Sequence, residues 1–96
     1  MMNSRLIVHD KVKEADGGII EIKIWSVPAT DAKRHGFRYS LAYVRDSRLA
    51  VCYDNHTGKG DHRHCEGHEE PYRFTTISKL LEDFYRDIRR AKKSEG

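Results

Sequence analysis

Residues 37–53 read Phe37-Arg38-Tyr39-Ser40-Leu41-Ala42-Tyr43-Val44-Arg45-Asp46-Ser47-Arg48-Leu49-Ala50-Val51-Cys52-Tyr53. Phe37, Tyr39, Leu41 and Tyr43 alternate with Arg38, Ser40, Ala42 and Val44, and after Asp46-Ser47 the alternation resumes at Leu49, Val51 and Tyr53. Side chains of a strand point to its two faces in turn, so this pattern predicts a hairpin with one apolar face and one mixed face. Tyr39, Tyr43 and Tyr53 are expected to pack inward, and Cys52, out of phase with its neighbours, to act as a small filler.

Upstream, Ile20, Ile22 and Ile24 recur at period two around Glu21 and Lys23, which is a half-buried strand. Leu6, Val8 and Val12 share one side of an earlier alternating stretch, and Asp16-Gly17-Gly18 supplies the turn between the two. Pro28 ends the second strand, because a central strand cannot spare an N–H. Trp25 falls out of phase with the isoleucines and belongs either beside the helix or in a partner-binding patch. The stretch Ala29–Gly36 reads as a basic loop carrying Lys33, Arg34 and His35.

Downstream, Ile77, Leu80, Leu81, Phe84, Tyr85 and Ile88 recur at helical spacing behind Thr76, a good N-cap. That stripe suits a lid over the sheet. Lys79, Glu82, Asp83, Arg86, Asp87, Arg89 and Arg90 are expected to face water. The expected fold is therefore α+β: an antiparallel meander of four to five strands with one C-terminal amphipathic helix on one face. The boundaries are one domain over residues 1–96, a sheet at about 5–54, a polar loop at 54–71, a short edge strand at 72–75 and a helix at 76–92.

Ninety-six residues suffice for one modest core. A hydrophobic content of 38% with 34% charged residues is polar for a globular protein and too apolar for a disordered one. Lys plus Arg is 18 against 15 acids, a mild excess that favours an acidic partner such as RNA or an acidic protein. Leu6, Ile7 and Val8 are too short a run for a secretory signal, and nothing approaches a membrane span. The expected compartment is the cytoplasm, with Cys52 and Cys65 reduced.

Between Asp54 and Pro71 the apolar pattern vanishes: 18 residues hold four His, one Cys, three Gly, two Asp and three Glu. A stretch of this kind inside so small a domain is usually functional or mobile. In extended chain His62 and His64 would share one face. Paired imidazoles can serve as acid and base in cleaving an RNA phosphodiester, since they titrate near working pH. Asp54 or Asp61 could orient an imidazole, and Lys59, Arg63 and Arg73 could carry charge on the phosphate oxygens. The same segment admits other readings: a zinc site from His62, His64, Cys65 and His68, with His56 upstream, or a solvated loop with fortuitous histidines. The zinc spacing matches no standard finger. Gly58-Lys59-Gly60 lacks the length and the following Ser/Thr of a Walker loop. Arg38, Arg45, Arg48 and Arg73 read either as a basic stripe or as ordinary solvated charge.

Taken together, Phe37–Tyr43, Tyr53-Asp54-Asn55, Gly58-Lys59-Gly60-Asp61-His62-Arg63-His64 and Glu70-Pro71-Tyr72-Arg73-Phe74 resemble the TumE-like toxins, over about Ile20 to Arg90. The resemblance implies the toxin half of a toxin–antitoxin module, held in check by an antitoxin encoded nearby. The positions that match its string are Asp54, Asn55, Lys59, Asp61, His62 and His64; His56, Cys65 and His68 do not match. The expectation is a toxin acting on RNA without a cofactor, a metal-independent ribonuclease with His62, His64, Asp54 and Asp61 catalytic and Lys59, Arg63, Arg73 and Asn55 binding RNA. The rivals are a non-enzymatic module docking protein or nucleic acid through the His-rich loop, and a small zinc domain.

Overall fold

The computed structural model describes residues 4–29, 35–55 and 60–95. Six strands follow one another as an antiparallel meander: β1 (Arg5–Lys13), β2 (Ile19–Ser26), β3 (Phe37–Arg45), β4 (Arg48–Asp54), β5 (His62–Cys65) and β6 (His68–Pro71). Among the described residues there is one helix, α1 (Ile77–Glu95), which packs against β4.

Cross-strand register puts the apolar set on one face. Ile22 lies opposite Leu41 and Leu41 opposite Tyr53; Ile20 lies opposite Tyr43 and Tyr43 opposite Val51. These side chains are buried with Ile24, Tyr39, Leu80, Phe84, Ile88 and Ala91. Each buried aliphatic or aromatic residue contributes roughly 1.5–3 kcal/mol, so the three inward tyrosines belong to the structural core, as expected. Asp46 and Ser47 both have positive φ (54° and 59°), the conformation of a tight hairpin turn that matches strand twist. Thr76 caps the helix, its Oγ1 accepting from Lys79 N at 3.0 Å.

The polar segment departs from expectation. It is no single loop: His62–Cys65 pairs with β4, and His68–Pro71 pairs with His62–Cys65, so among the described residues the sheet has six strands rather than four or five. The turn between them uses Glu66 and Gly67, with φ of 49° and 87°. This hairpin carries no aliphatic side chains because its inner face is closed by ions. Arg63 Nε sits 3.3 Å from Glu70 and 3.5 Å from Asp87 on the helix. The period-two apolar signal is therefore missing although the backbone ladder is present. The strand expected at 72–75 is not one; β6 already forms the edge, and the chain leaves the sheet after Pro71 to enter α1.

Two further expectations change. Asp83 and Asp87 do not face water but are 5% and 0% exposed. Tyr72 OH donates to Asp83 at 2.7 Å, and Tyr53 OH donates to Asp87. Arg86 bridges the two carboxylates, at 3.1 Å from Asp83 and 3.4 Å from Asp87. Buried carboxylates are tolerable only when paired in this way. Leu6 is not in phase with Val8, because a bulge between them turns Leu6 to face Trp25 across the β1–β2 ladder.

Candidate functional site

Opposite the helix, the sheet presents a second, open face. Its residues follow from register: His9, Lys23, Ser40, Asp54 and His62 lie in one row across β1 to β5, and Lys11, Glu21, Ala42, Cys52 and His64 in the next. His62 and His64 thus project to the same side of β5, separated by one pleat of about 6.6 Å. The intervening Arg63 points the other way, into the helix interface.

His62 is firmly placed. Its Nδ1 lies 3.0 Å from the Gly60 carbonyl, which can only accept, so Nδ1 donates there. Its Nε2 faces two carboxylates, Asp54 Oδ1 at 3.1 Å and Glu69 Oε2 at 3.7 Å. The Asp54 contact is ionic in kind, since Oδ1 is buried without a well-directed hydrogen bond. On its other oxygen Asp54 accepts from Cys52 Sγ at 3.6 Å. Burial, then the Asp54 charge, pushes the Cys52 thiol up to about 12; Cys65 is raised as well, chiefly by burial. Neither thiol is a ready nucleophile at neutral pH.

Asp61 orients an imidazole, but that of His35 rather than His62 or His64. Its Oδ2 accepts from Tyr39 OH at 2.7 Å and lies 2.9 Å from His35 Nε2. Phe37 N–H donates to His35 Nδ1 at 3.2 Å, which leaves the proton on Nε2. Burial and the Asp61 acceptor raise the Tyr39 hydroxyl well above its ordinary range, so it stays a donor. The His35 ring packs on Phe74 with centroids 4.0 Å apart. This cluster holds the chain just before His62, and Tyr72 N–H closes it by donating to Asp61 O.

Asp61, His62, Glu69, Glu70 and Pro71 line a shallow, open depression of about 310 Å³. Of the other expected site residues, Asn55 is buried and ties backbone: its Oδ1 accepts from Tyr39 N and its Nδ2 donates to the Phe37 carbonyl, both at 2.9 Å. Arg63 is committed to Asp87 and Glu70 on the helix side. Arg73 is exposed beyond β6, and Lys59 and His56 lie outside the described residues. The zinc set divides: register puts His62 and His64 on the open face and Cys65 and His68 on the other. Among the described residues no group of three or more His, Cys, Asp or Glu is placed to hold a metal ion.

Sequence reading missed His35, Tyr39 and Glu69 as site residues. Glu69 was reachable through Glu66-Gly67, whose turn chemistry sets the β5–β6 register and brings Glu69 opposite His64. No local signal marks His35, whose partner is 26 positions away.

No helix among the described residues is long and apolar enough to cross a membrane. A search of curated proteins found no match to the chain, and a search of solved structures found none. One family model, described as Toxin TumE, matches residues 2–92, which takes in all six strands and nearly all of the helix. A toxin family implies a cognate antitoxin as partner. With a match across nearly its whole length, from the edge strand through the His62–His64 hairpin to the closing helix, this chain belongs to the TumE toxin family.

Proposed function

We propose that the chain is the toxin of a toxin–antitoxin module and that it cleaves RNA, with His62 as proton donor and His64 as proton acceptor. The reading is supported above all by one observation: the two imidazoles share the open face of β5, with the Asp54 carboxylate 3.1 Å from His62 Nε2. With Nδ1–H given to Gly60, a neutral His62 would turn a lone pair toward Asp54 and Glu69. A ring that also carries a proton at Nε2 suits those acceptors. In the proposed reaction the Nε2 proton that rests against Asp54 turns to the leaving 5′-oxygen once substrate is seated, and the P–O5′ bond breaks as the 2′-oxygen bonds to phosphorus. His64 would take the 2′-hydroxyl proton. Asp54 holds the donor in place, and the Asp61 cluster fixes the backbone leading into it. No step requires a metal or a thiolate.

The test is purified protein incubated with end-labelled RNA. His62→Ala and His64→Ala should each lower the cleavage rate by about 10²–10⁴-fold while the circular dichroism spectrum stays unchanged. In cells, growth arrest by the wild-type chain should disappear in the double variant and on co-expression of the antitoxin. Full growth arrest by the double variant would remove the catalytic reading and leave a binding toxin.

A further inference from the structure

The open face continues beyond His62. Two residues along β3 from Ser40, the Arg38 guanidinium lies over the Trp25 ring at 4.3 Å from its centroid, and the two residues are partners across the β2–β3 ladder. Both are partly exposed, on the side away from the helix. Arg38 is two strands and one pleat from His62, and Trp25 three strands and one pleat, so the stack sits about 12–16 Å from the imidazole. Between them lie Ser40 and Lys23, the latter 38% exposed at its side chain. Lys11 and Lys13 project from the same face of β1. Of the acids of this face, Glu21 lies 3.2 Å from His9 and 3.9 Å from Lys23, and Asp54 and Glu69 flank His62.

A flat indole–guanidinium stack beside lysines on a sheet is the chemistry that binds unpaired bases. A base in a duplex is already stacked and paired and cannot enter such a site, whereas a single strand can splay one onto an aromatic or arginine plane. We infer that this face takes single-stranded RNA, laid across the strands with one base on the Trp25–Arg38 stack and a phosphodiester at His62 and His64. The inference rests on the RNA-cleaving reading and adds the substrate class and a residue that selects it.

Trp25 is the sole tryptophan, so its fluorescence reports this site alone. The full chain is titrated with an uncleavable 2′-O-methyl RNA oligomer, single-stranded or annealed to its complement. The single strand should quench Trp25 and bind at least tenfold tighter than the duplex. By anisotropy of a labelled oligomer, Trp25→Ala and Arg38→Ala should each weaken binding roughly tenfold, and Trp25→Phe, which keeps a ring, should restore most of the loss. Equal quenching by the duplex, or unchanged binding by Trp25→Ala, would overturn the inference. Cleavage of natural RNA is read separately: a protein that quenches but never cuts loses the catalytic reading and keeps the platform, and one that cuts while Trp25 senses nothing does the reverse.

Discussion

Asp54 on β4 and His62 on β5 are direct partners across the sheet, with Oδ1 3.1 Å from Nε2. The pairing makes Asp54 a positioning residue for the proposed proton donor. Asp54→Asn keeps the size but loses the charge, and it should lower kcat for RNA cleavage by about 10²-fold or more with little change in KM. A change in KM alone would mean that Asp54 only shapes the surface.

The bond from Tyr53 OH to Asp87 ties the sheet to the helix behind the candidate site. Asp87→Ala would take the acceptor from the Tyr53 hydroxyl and leave Arg63 with Glu70 alone and Arg86 with Asp83 alone, and it should cost about 3–5 kcal/mol. Tyr53→Phe, which removes one donor, should cost about 1–3 kcal/mol. Urea unfolding measures both.

Asp83 carries a pH signature. Burial raises its carboxyl, but hydrogen bonds from Tyr72 and Lys79 and the Arg86 charge outweigh that and leave it below its free value of 3.8. Its stabilisation is therefore fully present above pH 3.8 and lost as pH falls through the depressed folded value. Urea midpoints measured from pH 5 down to pH 2 should fall more steeply for wild type than for Asp83→Asn.

Cys52 should be sluggish toward alkylation. With its thiol moved from 9.0 up to about 12, the thiolate fraction at pH 8 drops by about 10³-fold. Mass spectrometry after iodoacetamide should find Cys52 unmodified in native protein and modified in urea. Asp54→Asn should speed the native reaction by removing a neighbouring negative charge.

The β5–β6 turn offers a stabilising change. Glu66 holds φ of 49°, a conformation that asparagine tolerates better. Glu66→Asn should raise stability by about 0.5 kcal/mol or more, and Gly67→Ala, at φ of 87°, should lower it and slacken the hairpin that carries both imidazoles. Thermal melts of the two variants should move in opposite directions.

Alternation and helical periodicity by themselves determined β2, β3, β4 and α1, because a side chain that must be buried leaves its period in the chain. Ile20, Ile22 and Ile24, the three tyrosines, and Leu80, Phe84 and Ile88 all lie where that period puts them. The common face of His62 and His64 followed in the same way from a spacing of two. Only the tertiary structure decided the β5–β6 hairpin, the burial of Asp83 and Asp87, the turning of Arg63 toward the helix, and the union of His35, Tyr39 and Asp61. In each of these a polar group is satisfied by a partner far along the chain. Charge pairing and hydrogen bonding impose no period on the sequence, so such contacts stay invisible until the strands are laid side by side.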